Sequence, residues 1–140
     1  MTALKFIVAG KPMGKQRPRV TRTHTYTPKK TVDYEKHVKA QFQLAYPKHK
    51  LLETPARMVI LACMAIPKAT SKKNRSKMAS GELRPTKKPD IDNIIKIVAD
   101  ALNQVAYIDD KQIVSSACEK IYSNRARVEV EISEVSHETL

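Results

Sequence analysis

Apolar and polar residues recur along this chain at two periods, one of strands and one of helices. Residues 3–9, Ala-Leu-Lys-Phe-Ile-Val-Ala, read as a strand, which the glycines and proline of Gly10-Lys11-Pro12-Met13-Gly14-Lys15 end. Thr31 is the expected N-cap of a helix reaching about Tyr46, because Tyr34, Val38, Phe42 and Ala45 lie three to four residues apart before Pro47. Residues 56–66 are almost continuously apolar and suit a central strand covered on both faces. Pro67 ends that strand, and an unstructured basic loop of about twenty residues is expected to follow.

A second helix is expected from about Asp90 to Val105, with Ile91, Ile94, Ile95, Val98, Leu102 and Val105 as one apolar stripe. Asp92, Lys96 and Asn103 fall within a narrow arc on its other side. After a turn over 107–111, residues 112–122 read as a strand, Ser123-Asn124-Arg125 as a turn, and Arg127–Ile132 as a half-exposed alternating strand. The order β, α, β, α, β, β, without repeat or linker, predicts an α+β fold. Its architecture is a two-layer sandwich of helices on a mixed β-sheet, in a single domain over 1–140.

Composition narrows the class. Hydrophobic residues make up 41% of the 140, enough for one packed core. No run of about 18 apolar residues is present, and the first residues lack the pattern of a secretory signal, so a cytoplasmic protein without membrane contact is expected. Cys63 and Cys118 are too few for a disulfide framework and lack metal-ligand spacing; buried reduced thiols are the expectation. His24, His37, His49 and His137 are scattered and read as surface residues.

Charge sharpens the picture further. The formal net charge is +12, but its distribution is uneven. Residues 10–30 hold seven basic side chains and no acid, and residues 67–88 hold eight against Glu82. Each segment therefore carries +7, and the rest of the chain sums to −2. Concentrated Lys and Arg in flexible segments suits a polyanion, because neutralised phosphates release counterions. Lys11, Lys15, Arg17, Arg19, Lys72, Lys73, Arg75, Lys77, Lys87 and Lys88 are the candidate phosphate contacts. An aromatic content of 5% with no Trp argues against base stacking on single strands.

Acids on a phosphate-binding surface are repulsive, yet Asp90, Asp92, Asp109 and Asp110 flank the helix that begins after the basic loop. A divalent cation bridging carboxylates and phosphate turns that repulsion into binding and activates water. Lys96, one turn beyond Asp92, could neutralise the scissile phosphate or the leaving oxygen. Each residue also has an ordinary structural use. Asp90 could cap the helix, Asp92 and Lys96 could form an i, i+4 ion pair, and Asp109-Asp110 is a common turn composition.

The stretch Lys88-Pro89-Asp90-Ile91-Asp92-Asn93-Ile94-Ile95-Lys96, followed by Asp100-Ala101-Leu102-Asn103 and by Tyr107-Ile108-Asp109-Asp110-Lys111-Gln112-Ile113, resembles the RusA family of Holliday junction resolvases. Gly10-Lys11-Pro12-Met13-Gly14-Lys15-Gln16-Arg17-Pro18-Arg19 is similar to that family's basic N-terminal segment. The resemblance implies a bacterial or phage-encoded homodimeric endonuclease that nicks four-way DNA junctions symmetrically in recombination and repair. It also implies Mg²⁺ as cofactor, for which Mn²⁺ could substitute. Under it, the family's essential aspartates match Asp90, Asp92 and Asp110, its essential lysine matches Lys96, and Asp109 is the neighbouring acid. Gln104 stands where many relatives carry glycine, which predicts a slightly longer helix here. The rival class is a catalytically silent basic module that binds nucleic acid through the same two segments.

Overall fold

A computed structural model describes residues 3–136. Its sheet consists of β1 (Leu4–Ala9), β4 (Ala56–Ala65), β5 (Ile113–Ser123) and β6 (Arg127–Glu134), in spatial order β1-β6-β4-β5. β6 runs antiparallel to both β1 and β4, whereas β4 and β5 are parallel, so the sheet is mixed as expected. Three helices accompany it: α1 (Lys29–Ala45), α2 (Lys72–Ser80) and α3 (Ile91–Ala101). Alternation places Phe6, Val8, Met58, Ile60, Val128, Val130 and Ile132 on one sheet face, buried with Tyr34, Val38 and Phe42 of α1 and Ile94, Ile97 and Val98 of α3. The fold class is the α+β one the pattern predicts.

Several local expectations are corrected. α1 begins at Lys29 behind Pro28, so Thr31 is not its cap; Thr31 is fully buried in the first turn, and its hydroxyl donates to Gln16 Oε1 at 3.4 Å. The segment after Pro67 is not an unstructured loop. It holds α2, begun by the Ser71 hydroxyl accepting from Asn74 N and stopped by left-handed Gly81 at φ 85°. A small hairpin, β2 (Arg19–Val20) with β3 (Thr25–Tyr26), interrupts the first basic segment.

α3 buries Ile97 rather than Ile91, which is 44% exposed. The helix also ends at Ala101, so Asn103 lies beyond it and does not share the face of Asp92 and Lys96. Gln104 itself adopts the left-handed conformation, at φ 62°, and its Nε2 donates to Ile108 O at 2.7 Å; the glycine-free sequence therefore does not lengthen the helix. Tyr107, expected in a turn, is fully buried core, and its hydroxyl donates to Ala99 O at 2.6 Å. His37 and His49 are half-buried ties to Ala9 O and Ala106 O rather than free surface residues, while His137 lies outside the described residues. Cys63 and Cys118 are free thiols, the first buried and the second half-buried, and burial pushes Cys118 up to about 11.

Both sheet edges are guarded. On β1, the Tyr46 hydroxyl bonds to Lys5 N and O, and His37 bonds to Ala9 O, which covers part of the outer edge. On β5, Lys120 points to the helix side of the strand, an inward charge that disfavours addition of a further strand.

Candidate functional site

The N-terminal half of α3 is the centre of the site. Asp90 occupies its N-cap with extended backbone (φ −73°, ψ 151°), and its carbonyl accepts from Ile94 N at 3.0 Å. The Asp90 side chain makes no capping bond, so its carboxylate is exposed and uncommitted. Asp92, in the first turn, is likewise exposed and has no hydrogen-bond or ion-pair partner among the described residues. The expected Asp92–Lys96 pair is not formed. Lys96 instead reaches down the helix to Asp100, 3.6 Å away, with its side chain 59% exposed.

The two acids after α3 have divided tasks. Asp109 caps the short 3-10 turn Asp110–Gln112: its carboxylate accepts from Lys111 N at 2.9 Å, while Gln112 Oε1 accepts from Asp109 N. Asp110 is half-buried and has no such partner. Burial raises the Tyr107 phenol, and the charges of Asp110, Asp100 and Asp109 raise it further, so these acids lie around one buried ring. Of five aspartates around α3, Asp100 and Asp109 are structurally engaged, and Asp90, Asp92 and Asp110 have no side-chain partner among the described residues.

Two lysines act as supports: Lys120, which the sequence does not mark as a site residue, and Lys15, which it marks as a phosphate contact. Lys120 of β5 donates to Lys87 O at 2.6 Å and Pro89 O at 3.1 Å, clamping the segment that presents Asp90. Its only sequence signal is a lysine at a core-facing position of a strand. Lys15 lies between Glu35 (2.8 Å) and Asp100 (3.2 Å), joining the N-terminal segment to α1 and α3. Lys15 N also donates to Asn93 O at 2.9 Å, and a Cβ on Gly14 would lie 2.9 Å from Pro89 Cβ. A cleft of about 910 Å³ opens between these elements, lined among others by Lys11, Lys30, Tyr34, Lys88, Asp90 and Asn93.

The structure thus brings Lys11, Lys15 and Lys88 to the cleft beside Asp90, though Lys15 faces inward. Arg17, Arg19 and Lys87 are exposed near it in sequence. Lys72, Lys73 and Arg75 project from α2, Lys77 is half-buried there, and Arg75 also bonds to Pro67 O at 3.2 Å.

Among the described residues, no three His, Cys, Asp or Glu side chains converge into a group that would hold a metal by themselves. The donors available still suit a hard cation. Mg²⁺ is usually held by one or two carboxylates, with waters and substrate phosphate completing its shell, and free aspartates meet that need.

Residues 9–133 match the family described as Endodeoxyribonuclease RusA. The chain belongs to the RusA endodeoxyribonuclease family. A protein of Bacillus subtilis (strain 168), named uncharacterized protein YqaN, is 39% identical over 145 residues, covering 97% of this chain and 99% of its own. The crossover junction endodeoxyribonuclease rusA of Lactococcus phage r1t is 39% identical over 51 residues, 36% of this chain and 39% of its own length. RusA membership makes the chain a member of a nuclease family. Among the described residues, no helix is long and apolar enough to cross a membrane.

Proposed function

We propose that this RusA-family chain is a divalent-metal-dependent endonuclease that resolves four-way DNA junctions by paired symmetric nicks, in recombination and repair. One observation carries the assignment of roles. The three aspartates that the family motif singles out, Asp90, Asp92 and Asp110, are those left without an internal partner, while Asp100 and Asp109 beside them are engaged.

In this reading Asp90, Asp92 and Asp110 would supply the carboxylates for Mg²⁺, or Mn²⁺ in its place, with waters and substrate phosphate completing its shell. When bound, the ion supplies charge neutralisation at the scissile phosphate and activation of water for in-line attack. Lys96 presents its ammonium on the solvent side of α3, tethered by Asp100, where it stabilises charge developing on the phosphate or the leaving oxygen. Lys11, Lys30 and Lys88 line the adjoining cleft and neutralise flanking phosphates, which fixes the strand without reading bases. Lys120 and the packed Gly14 keep the Asp90 segment in place. A two-fold homodimer matches the approximate two-fold symmetry of a junction, so that two sites meet opposing strands. Action in the cytoplasm of a bacterium, or on phage DNA there, belongs to the same proposal.

The test is cleavage of a synthetic four-way junction in Mg²⁺ by the full chain and by Asp92→Asn. Wild type should give paired nicks. The variant should cut at least 100-fold more slowly, at about the level of losing an electrostatic transition-state contact. It should bind the junction at least as tightly, because one phosphate-repelling charge is gone, and it should keep its Tm, because Asp92 holds no partner. Binding without cleavage by wild type in both Mg²⁺ and Mn²⁺ would establish the silent binding module instead.

A further inference from the structure

The first basic segment carries a feature that phosphate gripping leaves unused. Residues 19–26 form a two-stranded ribbon in which every position is exposed. Its register pairs Arg19 with Tyr26 and Val20 with Thr25, so Arg19 and Tyr26 share one face and Val20 and Thr25 the other. Val20 is 79% exposed and Tyr26 is 43% exposed. An isolated two-stranded hairpin is only marginally stable in water, and here neither face is buried.

The ribbon is nevertheless organised at its tip. Thr21 N donates to His24 O at 2.8 Å, His24 N donates to Thr21 Oγ1 at 3.1 Å, and the His24 ring lies 5.7 Å from that of Tyr26. Arg17, Arg19 and Arg22 flank or stud it, and no acid occurs from residue 10 to residue 32. A basic ribbon with apolar groups on both faces fits a concave, polyanionic surface better than a flat one. The major groove of B-DNA admits a two-stranded ribbon, with phosphate walls on either side and base edges with thymine methyls on its floor.

We propose that the Arg19–Tyr26 ribbon enters the major groove of a duplex arm next to the cut. The proposal rests on the nuclease reading above and adds a groove contact to it. Arg19 and Tyr26, which share the face turned to the groove floor, meet base edges there, while Arg22 at the tip meets a phosphate. Placement follows from the chain. Lys15 is fixed to Asn93 by its backbone, and the four residues on to Arg19 span at most about 14 Å. That is about four base-pair steps from the start of α3.

Dimethyl sulfate protection decides the matter, because it reads guanine N7 in the major groove. The full chain is bound to a four-way junction in EDTA and compared with Arg19→Ala/Arg22→Ala and with Val20→Ser/Tyr26→Ser. Wild type should protect guanines within about one helical turn of the cut. The arginine variant should lose that protection, bind about tenfold more weakly and show a salt slope smaller by about 0.9, the value for one phosphate contact. The apolar variant should lose the protection with an unchanged salt slope. Unaltered thermal melting of both variants confirms that exposed positions were changed.

Normal N7 reactivity in a wild-type complex that cuts DNA would overturn the ribbon alone, as would protection that persists in both variants. A ribbon variant that sediments as a smaller species than wild type would assign the ribbon to a second copy of the chain and overturn the groove contact. Wild type that binds no DNA would overturn the ribbon together with the nuclease reading beneath it.

Discussion

The Lys15 ammonium lies 2.8 Å from Glu35 and 3.2 Å from Asp100, and all three side chains are about one-fifth exposed. Three elements depend on this contact, because Glu35 is on α1, Asp100 on α3 and Lys15 on the segment after β1. Burial alone would lower the lysine pKa; the hydrogen bonds and charges of the two carboxylates outweigh it and raise the value. A raised lysine binds its proton more tightly when folded. Its stabilisation is therefore complete below the unfolded value of about 10.4 and fades as pH rises through the folded one. Lys15→Met removes the cation between Glu35 and Asp100 and leaves Asp100 only the more distant Lys96, so it should cost about 2 kcal/mol at pH 7. Urea melts from pH 7 to 11 check this: the deficit should hold constant to about pH 10 and shrink above it. Because Asp100 also tethers Lys96, the same variant should lower the cleavage rate more than the affinity for DNA.

At the scale of elements, α3 is the part most directly written in the sequence. Its apolar density fixed a helix, and the acids at its start marked the site. Its phase was harder to read, because Ile91, Ile94, Ile95, Ile97 and Val98 leave more than one stripe available. Packing chose Ile94, Ile97, Val98 and Ala101, since Ile91 lies in the first turn beyond the core. α2 escaped periodicity altogether, as none of its residues is buried; the Ser71 cap and the Gly81 stop were its only marks. The division of labour between Asp109 and Asp110 is a matter of capping geometry, which adjacent identical residues cannot reveal.

The contact between the N-terminal segment and α3 gives a sharper element-scale test. Gly14 sits where a methyl group would meet Pro89 Cβ at 2.9 Å and Asn93 Cβ at 3.0 Å. Gly14→Ala must therefore push the segment away from α3 or shift Asp90. The expected cost is between about 1 and 3 kcal/mol of stability. The expected fall in single-turnover cleavage is between about 10- and 100-fold, because sub-ångström placement governs such rates. Denaturant melts and rapid-quench cleavage measure the two separately.

For the molecule as a whole, a slightly acidic body carries two segments of +7 each. Binding to DNA should therefore weaken steeply with salt, and the share of each segment can be measured. Lys72, Lys73 and Lys77 lie on α2, and replacing all three with Ala should reduce the logarithmic salt slope by between about 2 and 3 if each meets a phosphate. Titrations of a junction by fluorescence anisotropy at several salt concentrations provide the number. An unchanged slope would remove α2 from the contact surface.

The strand order has a further consequence for when this protein becomes competent. β6 follows every other strand in the chain, yet it lies between β1 and β4. Until β6 pairs, β1 has no partner in the sheet and is held only by its contacts with α1 and Tyr46. Alignment of the N-terminal segment with α3 is therefore coupled to closure of the sheet by β6.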